Sequence, residues 1–382
     1  MKGLKLFTVV MVLLTITTGC WNIREVQDIN YATAIGVDYS DGKCIMYVQM
    51  LDFSSVAKLE GQQKLSEAPV WVGKGTGKSF TEAANSLYST SQKKLLWGHV
   101  SAIVFSERIL KQNKYRDVLE LLDRYREIRY LVWAFSTRES IEDIFNNTPF
   151  FKESPKMSIL HSPEDHYRQS SIIKPVRLYQ FITSLKEDAR ISYLASLRIV
   201  EDQWKESRKA HPLLEYEGMH VFQKDRYRGL MDLNDLQGLP WMNEKTVRAP
   251  LYLFRGNSLA AVLVMEKPEV QITPSVQPGG YFDVTVILQA GVNEMHQEMT
   301  KRELISLAEQ KTEEQIRHTY RQGFERKVDV YNLSEPLFRR NPSEWHRLAD
   351  EDQFLLREDS LRSVRVIVEL TNTGRYKFNP GM

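Results

Sequence analysis

The chain opens with the sequence MKGLKLFTVVMVLLTITTGCW, residues 1–21. Two lysines give this stretch a positive start, residues 6–16 are apolar except for two threonines, and small residues lead into Cys20. A charged start, an apolar centre and a small-residue end form the anatomy of a secretory signal. The apolar run is shorter than the roughly 20 residues that span a bilayer. We therefore predict a signal peptide at residues 1–19 and a remaining chain that folds outside the cytoplasm.

Cys20 directly follows Gly19, and this ending resembles the lipobox of bacterial lipoproteins. In such proteins the thiol takes up a diacylglycerol, the peptidase cuts just before the cysteine, and the new amino group receives an acyl chain such as palmitate. Thr17 stands where lipoboxes usually have leucine. The alternatives are an ordinary signal peptide with an incidental cysteine and an uncleaved anchor. We predict S-diacylglycerol and N-acyl lipidation of Cys20, which becomes the first residue of a 363-residue mature chain anchored in the membrane.

Composition indicates a folded protein with more than one domain. Hydrophobic residues make up 42% and charged residues 26% of the sequence, which are globular values. The mature chain is longer than one core usually supports, so two or three domains are expected. The formal net charge of +2 indicates neither a nucleic-acid surface nor a polybasic membrane patch. With Cys20 lipidated, Cys44 stands alone, which excludes an intramolecular disulfide and a cysteine-based zinc site.

The first folded element is predicted to be a β-hairpin. Residues 32–37 are mainly apolar and end at Asp38, Asp41-Gly42 is a turn signal, and an alternating stretch from Cys44 to Asp52 follows. Cys44 therefore lies inside a strand, where we expect a small core side chain rather than a reactive thiol.

The same region carries a resemblance to a known family. A lipobox cysteine followed by Trp21, then the strand Ala34-Ile35-Gly36-Val37-Asp38, is similar to the Ger(x)C proteins, the C subunits of bacterial spore germinant receptors. That family usually has aspartate directly after the tryptophan, whereas this chain has Asn22. The glycine-rich stretch at 73–77 followed by Phe80-Thr-Glu-Ala also resembles the family pattern.

The sequence Gly73-Lys-Gly-Thr-Gly-Lys78-Ser79 invites comparison with a phosphate-binding loop. A Walker A motif needs its first glycine at position 72, where this chain has Val72, so the spacing is one residue short. Export also removes the chain from cytoplasmic ATP. We instead predict a glycine-rich loop leading into a helix, with Ser79 or Thr81 near the N-cap and Glu82 in the first turn.

Three histidines are candidate site residues. His99 begins a predicted strand with no nucleophile–base pair beside it, so a structural role is expected. His161 and His166 flank Pro163, and their five-residue step does not place both rings on one helix face. A solvated loop is therefore favoured over a metal site, and no catalytic, metal or cofactor residue is predicted.

Two further segments resemble the Ger(x)C family. The hairpin at residues 218–231 is followed by a short helical stretch at 234–242, after a polar run at 202–212 that indicates a domain boundary. A long helix is predicted over 300–325, and the closing strand at 364–370 is preceded by Arg340-x-Pro-x-x-Trp345. With the start of the chain, these matches cover most of its length.

We predict an α+β fold, a three-domain mixed α/β architecture with a lipid-anchored N-terminus. The predicted parts are the signal peptide at 1–19, an N-terminal α+β domain at 20–200, a small middle domain with a β-hairpin at 201–255, and a C-terminal α+β domain with the long helix at 256–382. The three-domain arrangement is what the resemblance implies, since alternating strands and helices by themselves give only the class.

The resemblance also implies a function. Ger(x)C proteins are non-catalytic lipoproteins on the outer face of the cytoplasmic membrane, which is the inner membrane of the spore. They act with integral membrane A and B subunits in a receptor that senses nutrients and starts germination. The sequence leaves open which nutrient is sensed and whether this subunit contacts it. The main alternative is a substrate-binding lipoprotein of a membrane importer, although such proteins usually have two βαβ-rich lobes.

Overall fold

The computed structural model describes Gly3 and residues 29–51, 70–124, 127–274, 280–349 and 354–372. These residues form a large mixed sheet, a four-stranded sheet and a small hairpin, with helices packed against both sheets. The predicted α+β class and mixed α/β architecture are confirmed. The signal peptide and Cys20 lie outside the described residues.

Within the described ranges, twelve strands precede the four-stranded sheet. In chain order they are β1 (Ile29–Ser40), β2 (Lys43–Leu51), β3 (Val70–Gly77), β4 (Lys94–Leu96), β5 (Ala102–Ser106), β6 (Trp133–Thr137), β7 (Val176–Arg177), β8 (Ile191–Val200), β9 (Lys205–Glu206), β10 (Lys209–Ala210), β11 (Leu213–Gln223) and β12 (Arg226–Asp232). The large sheet has the order β12-β11-β8-β6-β5-β1-β2-β3, with β4 beside β1 and β7 beside β6. β9 and β10 pair with each other, so the polar run predicted as a boundary is a short hairpin between β8 and β11.

Helices cover both faces of the large sheet. They are α1 (Phe80–Tyr88), α2 (Glu107–Lys111), α3 (Tyr115–Arg124), α4 (Ile141–Asn146), α5 (Pro163–Gln169) and α6 (Leu178–Lys186). Strand β5 shows how the sheet separates two cores. Ile103 and Phe105 point into a cluster with α1, α2, α3 and α6, whereas Ala102 and Val104 point into a second cluster with α4. Alternate residues of a strand face opposite sides, so β5 is buried throughout.

The C-terminal half forms the four-stranded sheet. Its elements are β13 (Ala249–Arg255), β14 (Ser258–Pro274), β15 (Phe282–Met295), α7 (Lys301–Glu325), α8 (Glu335–Arg340), α9 (Pro342–Leu348) and β16 (Leu361–Asn372). Three strands are antiparallel, and β16 returns parallel to β15. β14 is a single strand whose pairing with β15 shifts register between Glu266 and Glu269. Helix α7 confirms the predicted long helix, and Thr300 caps it by accepting a hydrogen bond from the Glu303 amide at 3.2 Å.

The turn after α7 joins the two halves. The Gln223 side-chain oxygen, at the end of β11, accepts a hydrogen bond from the Asp329 amide at 3.1 Å. The Asn332 side-chain oxygen accepts one from the Ile191 amide at the start of β8, at 2.7 Å. One hydrophobic cluster also runs from the large sheet into the four-stranded sheet. The two sheets therefore share a core and a hydrogen-bonded joint.

Strands in the predicted middle domain belong to both sheets. The β11–β12 hairpin continues the large sheet because β11 pairs with β8 along ten residue positions. β13, which closes the same predicted domain, pairs with β14 in the four-stranded sheet. Sheet membership does not establish which parts fold independently, so the division at 200/201 and 255/256 stays a prediction.

Candidate functional site

The predicted lipidation site, Cys20, precedes the described part of the chain. Its modification therefore stays a prediction. Ile29, where β1 begins, is nine residues further on, which an extended backbone spans in about 30 Å. Among the described residues, no helix has the length and apolar character needed to cross a membrane.

The glycine-rich sequence is a strand and not a phosphate-binding loop. Residues 73–77 belong to β3, which pairs with β2 throughout its length. A Cβ added at Gly75 would lie 2.0 Å from the Ala83 carbonyl oxygen, and one at Gly77 would lie 2.6 Å from the Glu82 side chain. Glycine is required because α1 lies directly against β3. The predicted helix start is confirmed, since Ser79 accepts a hydrogen bond from the Glu82 amide at 3.2 Å.

His161 is buried within a polar network. Gln49 donates from its amide nitrogen to the Phe145 carbonyl at 2.8 Å, so its oxygen faces His161 Nε2 at 2.9 Å. His161 Nδ1 lies 2.7 Å from the Ser101 hydroxyl. This arrangement fits a neutral ring that donates from Nε2 and accepts at Nδ1. Burial, with a smaller contribution from the positive charge of Lys156, lowers the His161 pKa to about 3. The expectation of a solvated loop was wrong at this residue.

The other two histidines make ring contacts. His166 packs edge-on against Tyr216 with 5.4 Å between ring centroids, and burial lowers the His166 pKa. His99 is exposed and packs edge-on against Tyr31 at 4.7 Å. Within the described ranges, no cluster of three or more His, Cys, Asp or Glu side chains could hold a metal ion.

A serine, a histidine and a glutamate lie close together between the large sheet and α2. The sequence did not suggest this arrangement. His220 Nδ1 lies 2.7 Å from the Ser136 hydroxyl, and its Nε2 lies 3.6 Å from a Glu107 carboxylate oxygen. Ser136 and His220 are fully buried, so a substrate cannot reach the hydroxyl. Burial lowers the His220 pKa to about 4. The trio therefore connects strands β6 and β11 to α2. Its members lie far apart in sequence, so spacing gave no indication of it.

Two buried carboxylates on strands of the large sheet, Asp38 of β1 and Glu217 of β11, have arginine partners. Arg108 and Ser106 both donate to Asp38, and Arg108 Nε lies 3.1 Å from it. Burial acts to raise the Asp38 pKa, but the hydrogen bonds from Arg108 and Ser106 outweigh it and the pKa is lowered. Arg138 donates to both oxygens of Glu217, at 3.2 and 3.1 Å from Nε. These pairs fix neighbouring elements and leave no free acid or base.

An apolar pocket of about 400 Å³ lies between the segment before β13, strand β13 and helix α7. Trp241 forms part of its wall and donates from its indole nitrogen to Gln315 at 2.8 Å. The pocket is lined mainly by Leu236, Pro240, Trp241, Tyr252, Phe254 and Lys311. It could accept a small, largely apolar molecule, since few polar groups point into it. Its walls come from separate segments, which explains why the sequence did not reveal it.

Comparison with known proteins identifies the family. The profile described as "Spore germination protein N-terminal domain" matches residues 22–199. A second profile, "Spore germination B3/ GerAC like, C-terminal", matches residues 217–374. Together the two profiles cover most of the chain, including both sheets.

Relatives and a solved structure agree with these profiles. Spore germination protein KC of Bacillus subtilis (strain 168) is 22% identical over 368 residues, covering 90% of each chain. Spore germination protein B3 of the same organism is 19% identical over 362 residues, covering 91% of this chain and 92% of its own. The crystal structure of the GerBC protein matches with a TM-score of 0.54 at 13% identity, covering 91% of this chain and all of that one. The chain belongs to the Ger(x)C family of germinant receptor C subunits.

Proposed function

We propose that this protein is the lipid-anchored C subunit of a nutrient germinant receptor. It acts with integral membrane A and B subunits in nutrient sensing and in the initiation of spore germination. The observation that carries the proposal is the match of two spore germination profiles along nearly the whole chain, behind an N-terminal sequence that resembles a lipoprotein signal.

The proposed subunit is non-catalytic. The Ser136, His220 and Glu107 side chains are packed between elements, and the hydroxyl that would have to react is fully buried. The importer alternative has less support, because the chain forms two sheets with a shared core and resembles GerBC along its length. The proposed contribution of the folded part is protein–protein contact surface for the membrane subunits.

The proposed location is the outer face of the cytoplasmic membrane, the inner membrane of the spore. Cys20 performs the only covalent chemistry assigned to the chain, as acceptor of diacylglycerol and of an N-acyl group. A diacylglycerol plus a third chain holds a protein far more firmly than a single acyl chain.

The anchoring step is tested by Cys20→Ala. We expect this variant to leave the membrane fraction of dormant spores almost completely and to slow germination by nutrients. Cys44→Ala is the matched control, because Cys44 is buried in β2 and should not affect anchoring. Membrane retention and nutrient germination at the level of the unsubstituted chain would contradict the anchoring role.

The receptor role needs a separate test. Spores that lack the chain are exposed to single nutrients and to mixtures, with germination triggers that bypass receptors as the control. Loss of the response to one nutrient class, with bypass germination intact, is the expected result. An unchanged response to all nutrients, in spores that lack every paralogue of the chain, would contradict the receptor role.

A further inference from the structure

β1 begins at one end of the large sheet, nine residues after the predicted lipidation site Cys20. β5 and β6 run parallel to β1, with Ala34 opposite Ala102 and Ala102 opposite Trp133. The strands therefore begin at the same end of the sheet. Ile29, the first residue of β1, pairs with Lys94 of β4 at this end. The first described strand after Cys20 therefore begins at this end.

Large apolar side chains are exposed at the same end. Trp71 lies opposite Met50, which lies opposite Ala32 near the start of β1, and its side chain is 63% exposed. Leu131, just before β6, is 60% exposed, and Tyr179 is 44% exposed. The Tyr179 amide donates to the carbonyl of Tyr130 at 3.0 Å, which holds the start of α6 beside Leu131. Four strand spacings separate β3 from β6, so this group is about 20 Å wide.

Basic side chains accompany these apolar residues. Lys93 and Lys94 are exposed beside the start of β1, and Arg129 is exposed two residues before Leu131. Two carboxylates lie near them. Asp123 accepts a hydrogen bond from the Tyr130 hydroxyl at 2.9 Å, and Glu127 is exposed. Aromatic rings and long basic side chains together suit the boundary between lipid headgroups and acyl chains.

The structure assigns this end of the sheet to the membrane. We propose that Trp71, Leu131 and Tyr179 lie at the headgroup boundary of the bilayer that holds the Cys20 lipid. Lys93, Lys94 and Arg129 contact anionic headgroups. We name these six residues the tether-side surface. The inference rests on the proposed lipid anchor, and it adds an orientation of the folded chain on the bilayer.

The opposite end of the sheet is less suited to this role. Phe151 and Trp204 are 84% and 52% exposed there, with Trp204 packed edge-on against Phe150 at 4.9 Å. β1 has twelve residues, so its two ends are about 36 Å apart. The segment between Cys20 and Ile29 spans at most about 30 Å. If the opposite end rested on the bilayer, Ile29 would lie beyond the reach of the anchor.

Nitroxide depth measurements test the orientation. The full-length lipidated chain, with its acyl groups verified by mass spectrometry, is reconstituted in vesicles of phosphatidylcholine and phosphatidylglycerol. A nitroxide is attached to Trp71→Cys or, as the matched control, to Trp204→Cys. The native Cys44 is buried, and burial raises the pKa of its thiol, so it reacts slowly with the label.

We expect lipid-soluble oxygen to relax the label at position 71 at least about threefold more than the label at position 204, and a water-soluble nickel complex to show the reverse. A lipid-exposed label at 204 or a water-exposed label at 71 would overturn the assignment. Absence of acyl groups from the purified chain would instead contradict the proposed anchor, so the two failures are distinguishable.

The basic residues are tested in the same system. The double variant Lys93→Glu/Lys94→Glu should move the label at 71 toward water in anionic vesicles but not in phosphatidylcholine alone. Lys43→Glu/Lys209→Glu changes the same charge at the opposite end of the large sheet and should have no effect. Equal shifts for the two double variants would contradict a role for headgroup charge.

Discussion

The two sheets bury different kinds of side chain. The core of the large sheet contains Asp38, Glu217, His161 and His220. In the four-stranded sheet, alternate residues of β15 bury only apolar side chains from Phe282 to Ala290, and the residues between them are partly exposed. A mixed sheet covered on both faces buries the polar groups that its strands carry, and each buried polar group needs a partner. The stability of the large sheet therefore depends on close backbone packing, ion pairs and pH, whereas that of the four-stranded sheet depends mainly on apolar packing.

The two sheets should differ most in the stability lost when one glycine in each is replaced by alanine, a change that adds a single methyl group. Gly75→Ala places a Cβ against the backbone of α1, 2.0 Å from the Ala83 carbonyl oxygen. Relieving this overlap requires α1 to move, so we expect the free energy of unfolding to fall by about 3 kcal/mol or more.

The matched change in the four-stranded sheet is Gly291→Ala, where the nearest atom would lie at an ordinary 3.9 Å. We expect a change of less than about 1 kcal/mol there, because glycine weakens a strand and alanine fits. Chemical denaturation measures both values. A smaller loss for Gly75→Ala than for Gly291→Ala would contradict the proposed helix–strand packing.

A second difference concerns two similar arginine–carboxylate pairs. Arg138→Ala leaves the Glu217 carboxylate buried, with Ser196 still donating to it at 2.8 Å. We expect a loss of about 2–3 kcal/mol in unfolding free energy at neutral pH, because an unpaired buried charge is costly. Arg362→Ala removes the arginine partner of Asp283 at the edge of the four-stranded sheet, where both side chains are partly exposed and Ser363 still donates to the carboxylate. An exposed pair contributes less than about 1 kcal/mol. Chemical denaturation measures both variants. Equal losses of unfolding free energy for Arg138→Ala and Arg362→Ala would contradict the proposed difference between the sheets.

The smallest expected effect concerns how the free energy of unfolding changes as the pH falls. The His220 pKa is about 4 in the folded chain, below the unfolded value of about 6.5. The neutral ring is favoured by folding, so its stabilising contribution is present above about pH 6.5 and is lost as the pH falls toward 4. Glutamine does not titrate in this range. Between about pH 6.5 and 4, we therefore expect the free energy of unfolding of His220→Gln to fall by up to about 1 kcal/mol less per pH unit than that of the unsubstituted chain.

Asp329, at the joint between the sheets, titrates in the opposite sense. Burial raises its pKa to about 6 despite hydrogen bonds from the Ser334 and Leu333 amides. Its protonated form is favoured by folding, so this contribution grows as the pH falls below about 6. The pH dependence of His220→Gln is therefore compared with that of the unsubstituted chain, measured by urea denaturation. The same slope in both chains would show that His220 is not the titrating group.

Much of the secondary structure was predictable because its signals are local. The Asp41-Gly42 hairpin and the strand that contains Cys44 follow from turn chemistry and alternation, and the structure confirms both. The glycine-rich segment was predicted as a loop because glycine disfavours strands. It is an edge strand, since its glycines allow α1 to pack directly on β3. Contact between a helix and a distant backbone leaves no local pattern, so sequence reasoning could not supply it.

The polar clusters were less predictable. His161 was expected in a solvated loop, but Gln49 and Ser101 surround it in the core. Its partners are more than 50 residues away, so no spacing rule connects them. The apolar pocket and the tether-side surface have the same origin, because each is assembled from segments that the chain order separates.

Sequence alone is enough to predict the family, the α+β class, the long C-terminal helix and the lipidation of Cys20. These depend on residue type and local order. Only the tertiary structure showed that the β11–β12 hairpin extends the large sheet and that the two sheets share a core. It also brought Trp71, Leu131 and Tyr179 to the end of the sheet where β1 begins. Strand register and sheet order set these relations, and both arise from contacts between residues far apart in the chain.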